Sequence, residues 1–570
     1  MRMRRGTRRF TTFSWRIAIA VALGAGGAGC SAARPQPRAA DIILRGQFIT
    51  LDSTHPRVDA LAVTSGRIVA VGSVADVERL AGQTTHRVDV PGVGVPGFAD
   101  AHVHLSSVGQ QLERLDLRGL TKEQILANVS DAVRAAAPGA WISGGGWDQG
   151  FFRPAVFPSA ADLDAVSGDH PVVLTRIDGH SSWVNTKVLS LAGISSNTKD
   201  PDGGRIVRHG GKPTGILIDQ AQDALGRVRP GATDADRERH VRAALQQYAR
   251  WGLTSVHDAG TDLDTIAIYK RLVQRGELPV RLYVMARGVP AIEHYLAAGP
   301  EPDLGDHLLA IRSLKLMADG ALGSHGAELA EPYTDAPGER GLQQTSDADL
   351  DTVIRRARDK GIQVNVHAIG DRAVRRVLDA FERGGVRPAD RFRVEHASMI
   401  APDDLPRFAR LGVIASVQPV FIGEYSRWAE DRVGASRVRW VLPLHALVTS
   451  GASLAFGTDF TAADTGDPLA TLAGAVAGQG ASGVAGAEWF QPQRVDLDTA
   501  LRAMTSGPAF AAFEEADLGQ LAIGRYADIT VLSADPHAVR PEALRNMSVL
   551  MTILGGRVTY DSRQVQSAAK

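Results

Sequence analysis

One cysteine in 570 residues, Cys30, rules out an intrachain disulfide and any thiolate zinc module, so a metal here must be held by His, Asp, Glu or a modified side chain. An excess of charge of one sign is also lacking: 63 Lys and Arg stand against 63 Asp and Glu. No global field draws the chain to nucleic acid or to an anionic membrane, and a small-molecule substrate recognised locally fits better. Lysine is scarce, with eight residues in all, so a lysine inside an apolar strand stands out. At 22% charged and 44% hydrophobic the chain is neither disordered nor collagen-like, and its length suits one large domain with attachments.

The first residues read as an export signal. Arg2, Arg4, Arg5, Arg8, Arg9 and Arg16 form a basic region before the apolar run Ile17–Leu23 and the small residues Gly24–Gly29. That run is well short of the roughly 20 residues a membrane-spanning helix needs. Cys30 after Gly27-Ala28-Gly29 resembles a bacterial lipobox without its usual Leu, and Thr7-Arg8-Arg9-Phe10 partly resembles a twin-arginine signal. Lipidation at Cys30, giving membrane attachment, and plain cleavage after Ala33 are both open. On either route residues 1–33 are removed from fold reasoning and the mature chain works in the periplasm or at the cell envelope.

Short Val/Ile/Leu runs punctuated by turns occupy Asp41 to Val90, and the texture returns near the C-terminus: Ala527-Asp528-Ile529-Thr530-Val531-Leu532 echoes Ala40 to Leu44. Residues 38–93 and 516–563 are therefore expected to share one small β-sandwich. Between them, over residues 94–515, strand-like runs alternate with amphipathic stretches, which argues α/β. Eight strands are read, at Gly94 to His104, Leu253 to Asp258, Val280 to Met285, Ser313 to Met317, Gln363 to His367, Arg393 to His396, Val413 to Gln418 and Ser453 to Asp459. They fit a (β/α)₈ TIM-type barrel with its site where the strands end. A large insertion after the first strand, about residues 106–235, is too long for a bare loop. The capping box Thr121/Gln124 with Ile125, Val129, Ala132 and Val133 at helical spacing opens it with a helix.

The polar residues sit at the strand ends. Alternation along a strand points His102 and His104 of Asp100-Ala101-His102-Val103-His104 to one side, as two imidazoles converging on an ion do. Alone, the pair reads more readily as polar barrel residues satisfied by hydrogen bonds than as metal ligands. His367, His396 and Asp459 end three further strands, and together the five meet the needs of one or two divalent cations, with donors suited to zinc. Lys315, inside the apolar run Ser313-Leu314-Lys315-Leu316-Met317, has two readings. Burial lowers an amine's pKa, and a neutral amine takes up carbon dioxide to become a carbamate able to bridge two metals. Alternatively it pairs with Asp319 or a substrate carboxylate; spacing leaves the two equal.

The stretch Pro96-Gly97-Phe98-Ala99-Asp100-Ala101-His102-Val103-His104 resembles the opening signature of the amidohydrolase superfamily. Trp141 to Trp147, Arg176 to His180, Asp319 to Ser324 and His367 to Ala373 are similar to its amidohydrolase-3 branch, which includes N-substituted formamide deformylases. The resemblance runs from about Asp41 to Tyr560 and implies a barrel with a small β-sandwich, a one- or two-metal centre and hydrolysis, often of C–N bonds. Position by position it puts His102, His104 and Asp459 on the first metal, His367 and His396 on the second, and Lys315 between them as the carbamate. No ligand position departs from the pattern.

On this reading the metals activate a water and polarise a carbonyl, while Asp459 moves the proton or else serves as a ligand only. Trp147, Asp178, His180 and Asn185 of the insertion are candidate substrate contacts by resemblance, with packing or capping as the alternative. Asp371 and Arg372 are read as a pair behind His367 or as substrate contacts; His257, Asp258 and His325 are weaker candidates. The function expected is an exported hydrolase of non-peptide amides or formamides. A deaminase or lactonase on the same centre, and a noncatalytic binding protein, are the alternatives. Self-association is compatible with the sequence.

Overall fold

A computed structural model describes residues 39–229 and 233–564; the Arg-rich start and Cys30 lie outside the described residues. Eight parallel strands form the centre: Phe98–Val103, Leu253–Thr261, Arg281–Ala286, Leu309–Met317, Gln363–Ala368, Arg393–His396, Ile414–Val417 and Ser453–Phe456. All eight lie where the apolar runs placed them. Strands such as Gln363–Ala368 and Arg393–His396 are buried along their whole length, as in a parallel sheet covered on both faces. The helix Asp371–Arg383 shows how that cover is made: Val374, Val377, Leu378 and Phe381 recur at helical spacing, and all are buried.

The ladder runs in order from the first strand to the eighth, and the seam between those two is held by a backbone hydrogen bond and by a side chain. Asp459 donates its backbone N–H to the His102 carbonyl at 2.8 Å. Buried Asp100 accepts from His102 N at 3.1 Å, Thr458 N at 2.9 Å and Thr458 Oγ1 at 2.6 Å. Thus one carboxylate fixes the register between the two segments that carry His102, His104 and Asp459.

Both chain ends contribute to one sheet, seven strands wide: Ala40–Ile49, Arg57–Thr64, Arg67–Gly72, Ala81–Pro96, Ile529–Leu532, Val549–Leu554 and Arg557–Asp561. Where a two-sheet sandwich was expected, the hydrogen bonding is continuous. The reason is the 16-residue strand Ala81–Pro96, which pairs with Ala40–Ile49 and, through residues 93–96, with Ile529–Leu532. This sheet is joined to the start of the barrel strands: Phe98 N donates to Thr530 Oγ1 at 2.8 Å, and buried Arg281 forms an ion pair with Asp528 at 2.7 Å. The site therefore has the opposite end of the barrel free.

Over that end lies the insertion. Its helix Lys122–Ala135 starts at Thr121 with the expected capping box. The sequence reading did not find its six-stranded sheet, Leu115–Asp116, Ile142–Trp147, Val172–Arg176, Ser181–Val184, Gly204–His209 and Lys212–Asp219, packed on its own core of Leu117, Ile125, Val129, Trp147, Leu174 and Trp183.

Asp100→Ala leaves buried N–H and O–H donors unpaired, at about 1–3 kcal/mol each. Its apparent unfolding temperature in calorimetry is expected to fall by several degrees, whereas Asp131→Ala on the exposed insertion helix leaves it in place. An unchanged temperature for Asp100→Ala would mean that the seam is held elsewhere.

Candidate metal centre

His102 and His104 project from the end of the first strand, and Asp459 follows the eighth. Their ligand atoms all lie within 4.8 Å of one another. His104 Nε2 is 3.3 Å and His102 Nε2 3.7 Å from Asp459 Oδ1, and His396 Nδ1 is 3.8 Å from Asp459 Oδ2. The rings of His102 and His396 are 4.6 Å apart, those of His396 and His367 4.4 Å. Two of these side chains sit on left-handed backbone, His396 at φ +72° and Asp459 at φ +54°, a conformation that costs a non-glycine residue roughly 1–3 kcal/mol and is found where function demands it.

Hydrogen bonds fix which nitrogen of each ring is free. His102 Nδ1 meets the buried Glu395 carboxylate at 2.5 Å, which leaves the Nε2 lone pair facing Asp459 and Lys315. His396 Nδ1 donates to Gln418 Oε1 at 2.9 Å, and Gln418 is oriented by donating Nε2 to Ser416 O. His367 Nε2 donates to Gly320 O at 3.3 Å. Burial pushes His102 and His367 well below the usual imidazole range and His396 down to about 4, so these rings are neutral and have lone pairs to give. Burial alone would raise Asp459, but His102, His104 and His396 beside it hold its carboxyl well below the usual range. Its Oδ1 is enclosed and receives no hydrogen bond. Such a donor set fits a divalent cation: neutral nitrogens around an anionic oxygen that lacks a partner.

Lys315 is buried, with Nζ 3.4 Å from His102 Nε2 and 3.4 Å from Ala259 O. Burial lowers its amine to about 8. The pairing with Asp319 is not formed. Asp319 instead accepts from Glu328 N, Ile369 N and Gly370 N at 2.8–3.0 Å and lies 3.5 Å from His367 Nε2.

Comparison with known proteins agrees with this geometry. Residues 92–560 match the model of the amidohydrolase family. The chain belongs to the amidohydrolase family. Over 91% of its length it is 32% identical to YtcJ of Bacillus subtilis (strain 168), a protein named as an amidohydrolase, covering 99% of that protein. It is 27% identical to an N-substituted formamide deformylase of Arthrobacter pascens, over 91% of this chain and 98% of the other. The crystal structure of an uncharacterized metal-dependent hydrolase from Pyrococcus horikoshii OT3 superposes with a TM-score of 0.71 at 29% identity, over 88% of this chain and 99% of that one.

In this amidohydrolase the strand ends open into a cavity of about 540 Å³ lined by His104, Lys315, His367, His396 and Asp459 and, from the insertion, by Arg176, Asp178, His180 and Asp219. Asp178 and His180, two of the insertion residues singled out in the sequence, thus line the cavity. Asp178 Oδ2 accepts from Arg176 at 2.6 Å, and His180 Nδ1 lies 2.6 Å from Asp219 Oδ1 with its ring 5.3 Å from that of His367. Burial works against charge on His180, but Asp219 and Asp178 raise its pKa.

The other candidates lie off the cavity. Trp147 is fully buried among Phe152, Phe157 and Trp183 and donates Nε1 to Leu174 O at 2.8 Å, so it packs the insertion core. Asn185 caps the helix Thr186–Leu191. Asp371 accepts from Ala330 N and Arg372 N, and Arg372, half exposed, pairs with Glu328 at 3.1 Å. Both are turned to the loop after the fourth strand, Asp371 as acceptor for the Ala330 N–H and Arg372 as donor to the Glu328 carboxylate. His257 is bonded by Arg393 at 3.0 Å, Asp258 by Tyr269 at 2.6 Å, and His325 by Asp335 at 3.1 Å. Sequence reasoning missed Glu395, Gln418 and Asp100, which set tautomers and register. Glu395 stands inside the quoted Val394-Glu395-His396, but its partner is 293 residues away.

From these placements, Trp147→Ala should cost about 3–5 kcal/mol of stability, as a large buried aromatic does. Arg372→Ala should leave KM and kcat where they are. A stable Trp147→Ala with altered substrate selection, or a raised KM in Arg372→Ala, would return these residues to the site.

Proposed function

We propose that the protein is an exported, metal-dependent hydrolase that cleaves the C–N bond of a small non-peptide amide or formamide. The observation that carries this is the buried, donorless Oδ1 of Asp459 amid neutral imidazoles. The formamide deformylase among its relatives supports the bond type. A divalent cation, zinc by donor type, held by His102, His104 and Asp459, with a second at His367 and His396, supplies Lewis acidity toward water and carbonyl.

The chain's own groups do the rest. Glu395 and Gln418 hold His102 and His396 in the tautomers that present lone pairs. Asp459, kept anionic by its histidine neighbours, takes the proton of the attacking water and returns it to the leaving nitrogen. His180, whose pKa Asp219 raises against the effect of burial, faces the cavity as a donor for the oxygen that gains charge. Lys315, buried without a carboxylate partner, is assigned the carbamate role between the metal positions. The Arg-rich start and the run Ile17–Leu23 support export, with attachment through a lipidated Cys30, and the balanced charge supports a small-molecule substrate with no nucleic acid.

Chelator-stripped protein should be inactive on a panel of formamides and N-acyl amines and regain activity with zinc. Activity equal before and after stripping would contradict the reading. Asp459→Asn should lower kcat roughly 10³-fold, a loss in the range of general-base removal, and lower zinc affinity far less. Lys315→Ala should lose most activity and recover at least part of it with added acetate or propionate, which supply the missing anionic oxygens. Failure of both acids to restore any rate would argue for a plain lysine.

A further inference from the structure

A small recess of about 30 Å³ adjoins the metal centre and shares His180, His367, His396 and Asp459 with the main cavity. It holds about two non-hydrogen atoms, since one water takes roughly 10–15 Å³ of such space. Leu322, Ile369 and Phe421 make part of its wall apolar. Tyr425, on the same wall, is satisfied by donating its hydroxyl to Ser398 Oγ at 3.2 Å. Two other polar atoms of the lining are not. Glu424 is 4% exposed, and its Oε1 is enclosed with no hydrogen-bond partner among the described residues. Trp428 Nε1 is likewise enclosed and unpaired.

Both side chains come from the helix Ile422–Val433, four residues apart and so on one face of it. The cations whose charge reaches Glu424 are engaged elsewhere: Asp148 takes Arg427 at 2.7 Å and Arg176 at 3.0 Å, and Asp178 takes Arg176 at 2.6 Å. Burial, with Asp464 and Asp148 adding to it, pushes the Glu424 carboxyl well above the usual carboxylate range. Its carbonyl oxygen accepts in the neutral form as the carboxylate does. Gly323, on the facing loop, leaves the indole its place, for a Cβ there would stand 3.2 Å from Trp428 Cζ2. Buried polar groups are normally paired, and an acceptor beside a donor calls for a group that is both. A hydroxyl is both. A methyl is neither, and an ammonium only donates.

We propose that Glu424 Oε1 and Trp428 Nε1 read a hydroxyl on the acyl side of the substrate, which makes the preferred substrate an amide of a short 2-hydroxy acid. This rests on the C–N hydrolase reading. The acyl side is assigned because the recess takes only about two atoms, whereas the main cavity, at about 540 Å³, has room for the amine portion. With the scissile carbonyl at the metal centre, the carbon and oxygen of a hydroxymethyl group fill the recess, the oxygen accepting from Trp428 and donating to Glu424. In the reaction water adds its oxygen to the acyl carbon, the C–N bond breaks, and the nitrogen leaves as an amine with the water's proton. The other product is the 2-hydroxy acid.

The test uses the zinc-loaded full chain and two amides of equal size, N-benzyl-2-hydroxyacetamide and N-benzylpropanamide. The hydroxy amide should exceed the propanamide in kcat/KM by at least about 30-fold, because the propanamide leaves both buried groups unpaired. That preference should fall to within about 3-fold in Glu424→Leu/Trp428→Phe. It should be intermediate in Trp428→Phe and largely kept in Glu424→Gln, which retains the acceptor. Binding is read without turnover on 1-hydroxy-4-phenylbutan-2-one, in which CH₂ replaces the amide NH, against 1-phenylpentan-3-one. Calorimetry should show the hydroxy ketone binding tighter by a similar factor, with the same collapse in the double variant. Equal use of the two amides with equal binding of the two ketones, or a preference untouched by the double variant, overturns the hydroxyl pocket. A larger preference for N-benzyl-2-aminoacetamide overturns the hydroxyl assignment. Ketone discrimination that depends on Glu424 and Trp428, without hydrolysis of any amide, keeps the pocket and rejects the C–N reading. Hydrolysis of amides with no hydroxyl preference does the reverse.

Discussion

Closing the barrel brings the carboxylate of Asp459 against three imidazoles and leaves its Oδ1 sealed from water with no hydrogen bond. A buried anion in that condition is costly, and much of the surrounding structure serves to hold it there. Asp100 ties the first and eighth segments in register, and the left-handed backbone at Asp459 and His396 aims both side chains inward. Glu395 takes Nδ1 of His102 so that its Nε2 faces the carboxylate, and Gln418 fixes the ring of His396 beside it. Burial opposes the charge of that carboxylate, and a divalent cation shared with it would offset the cost.

The two attached layers divide the remaining work. The seven-stranded sheet secures the strand starts through Thr530 and Asp528, away from the chemistry. The insertion instead meets the barrel through charge: Asp148, buried, accepts from Arg176 of its own layer and from Arg427 at 2.7 Å on the helix Ile422–Val433. That bridge keeps Asp178 and His180 over the strand ends, where they become part of a cavity wall that neither layer forms alone.

The barrel was legible in the sequence because each strand is a short apolar run ending in a polar residue, and period-two alternation put His102 and His104 on one face. Lys315 stood out through the scarcity of its kind. The insertion sheet was not legible, since strands such as Ile142–Trp147 carry three glycines in place of an alternating pattern. Trp147 was misplaced because an aromatic beside a motif looks the same whether it faces a cavity or a core, and only its packing on Phe152, Phe157 and Trp183 decides. Asp371 and Arg372 adjoin His367 in sequence yet follow the turn of the helix away from it.

The central claim is that the Asp459 carboxylate, with His102 and His104, holds a divalent cation. The most direct measurement is anomalous diffraction at the zinc edge from crystals of zinc-loaded protein. A peak bonded to His102 Nε2, His104 and Asp459 is expected. Zinc found only elsewhere, with Asp459 Oδ1 bonded to a protein or water donor, would contradict it.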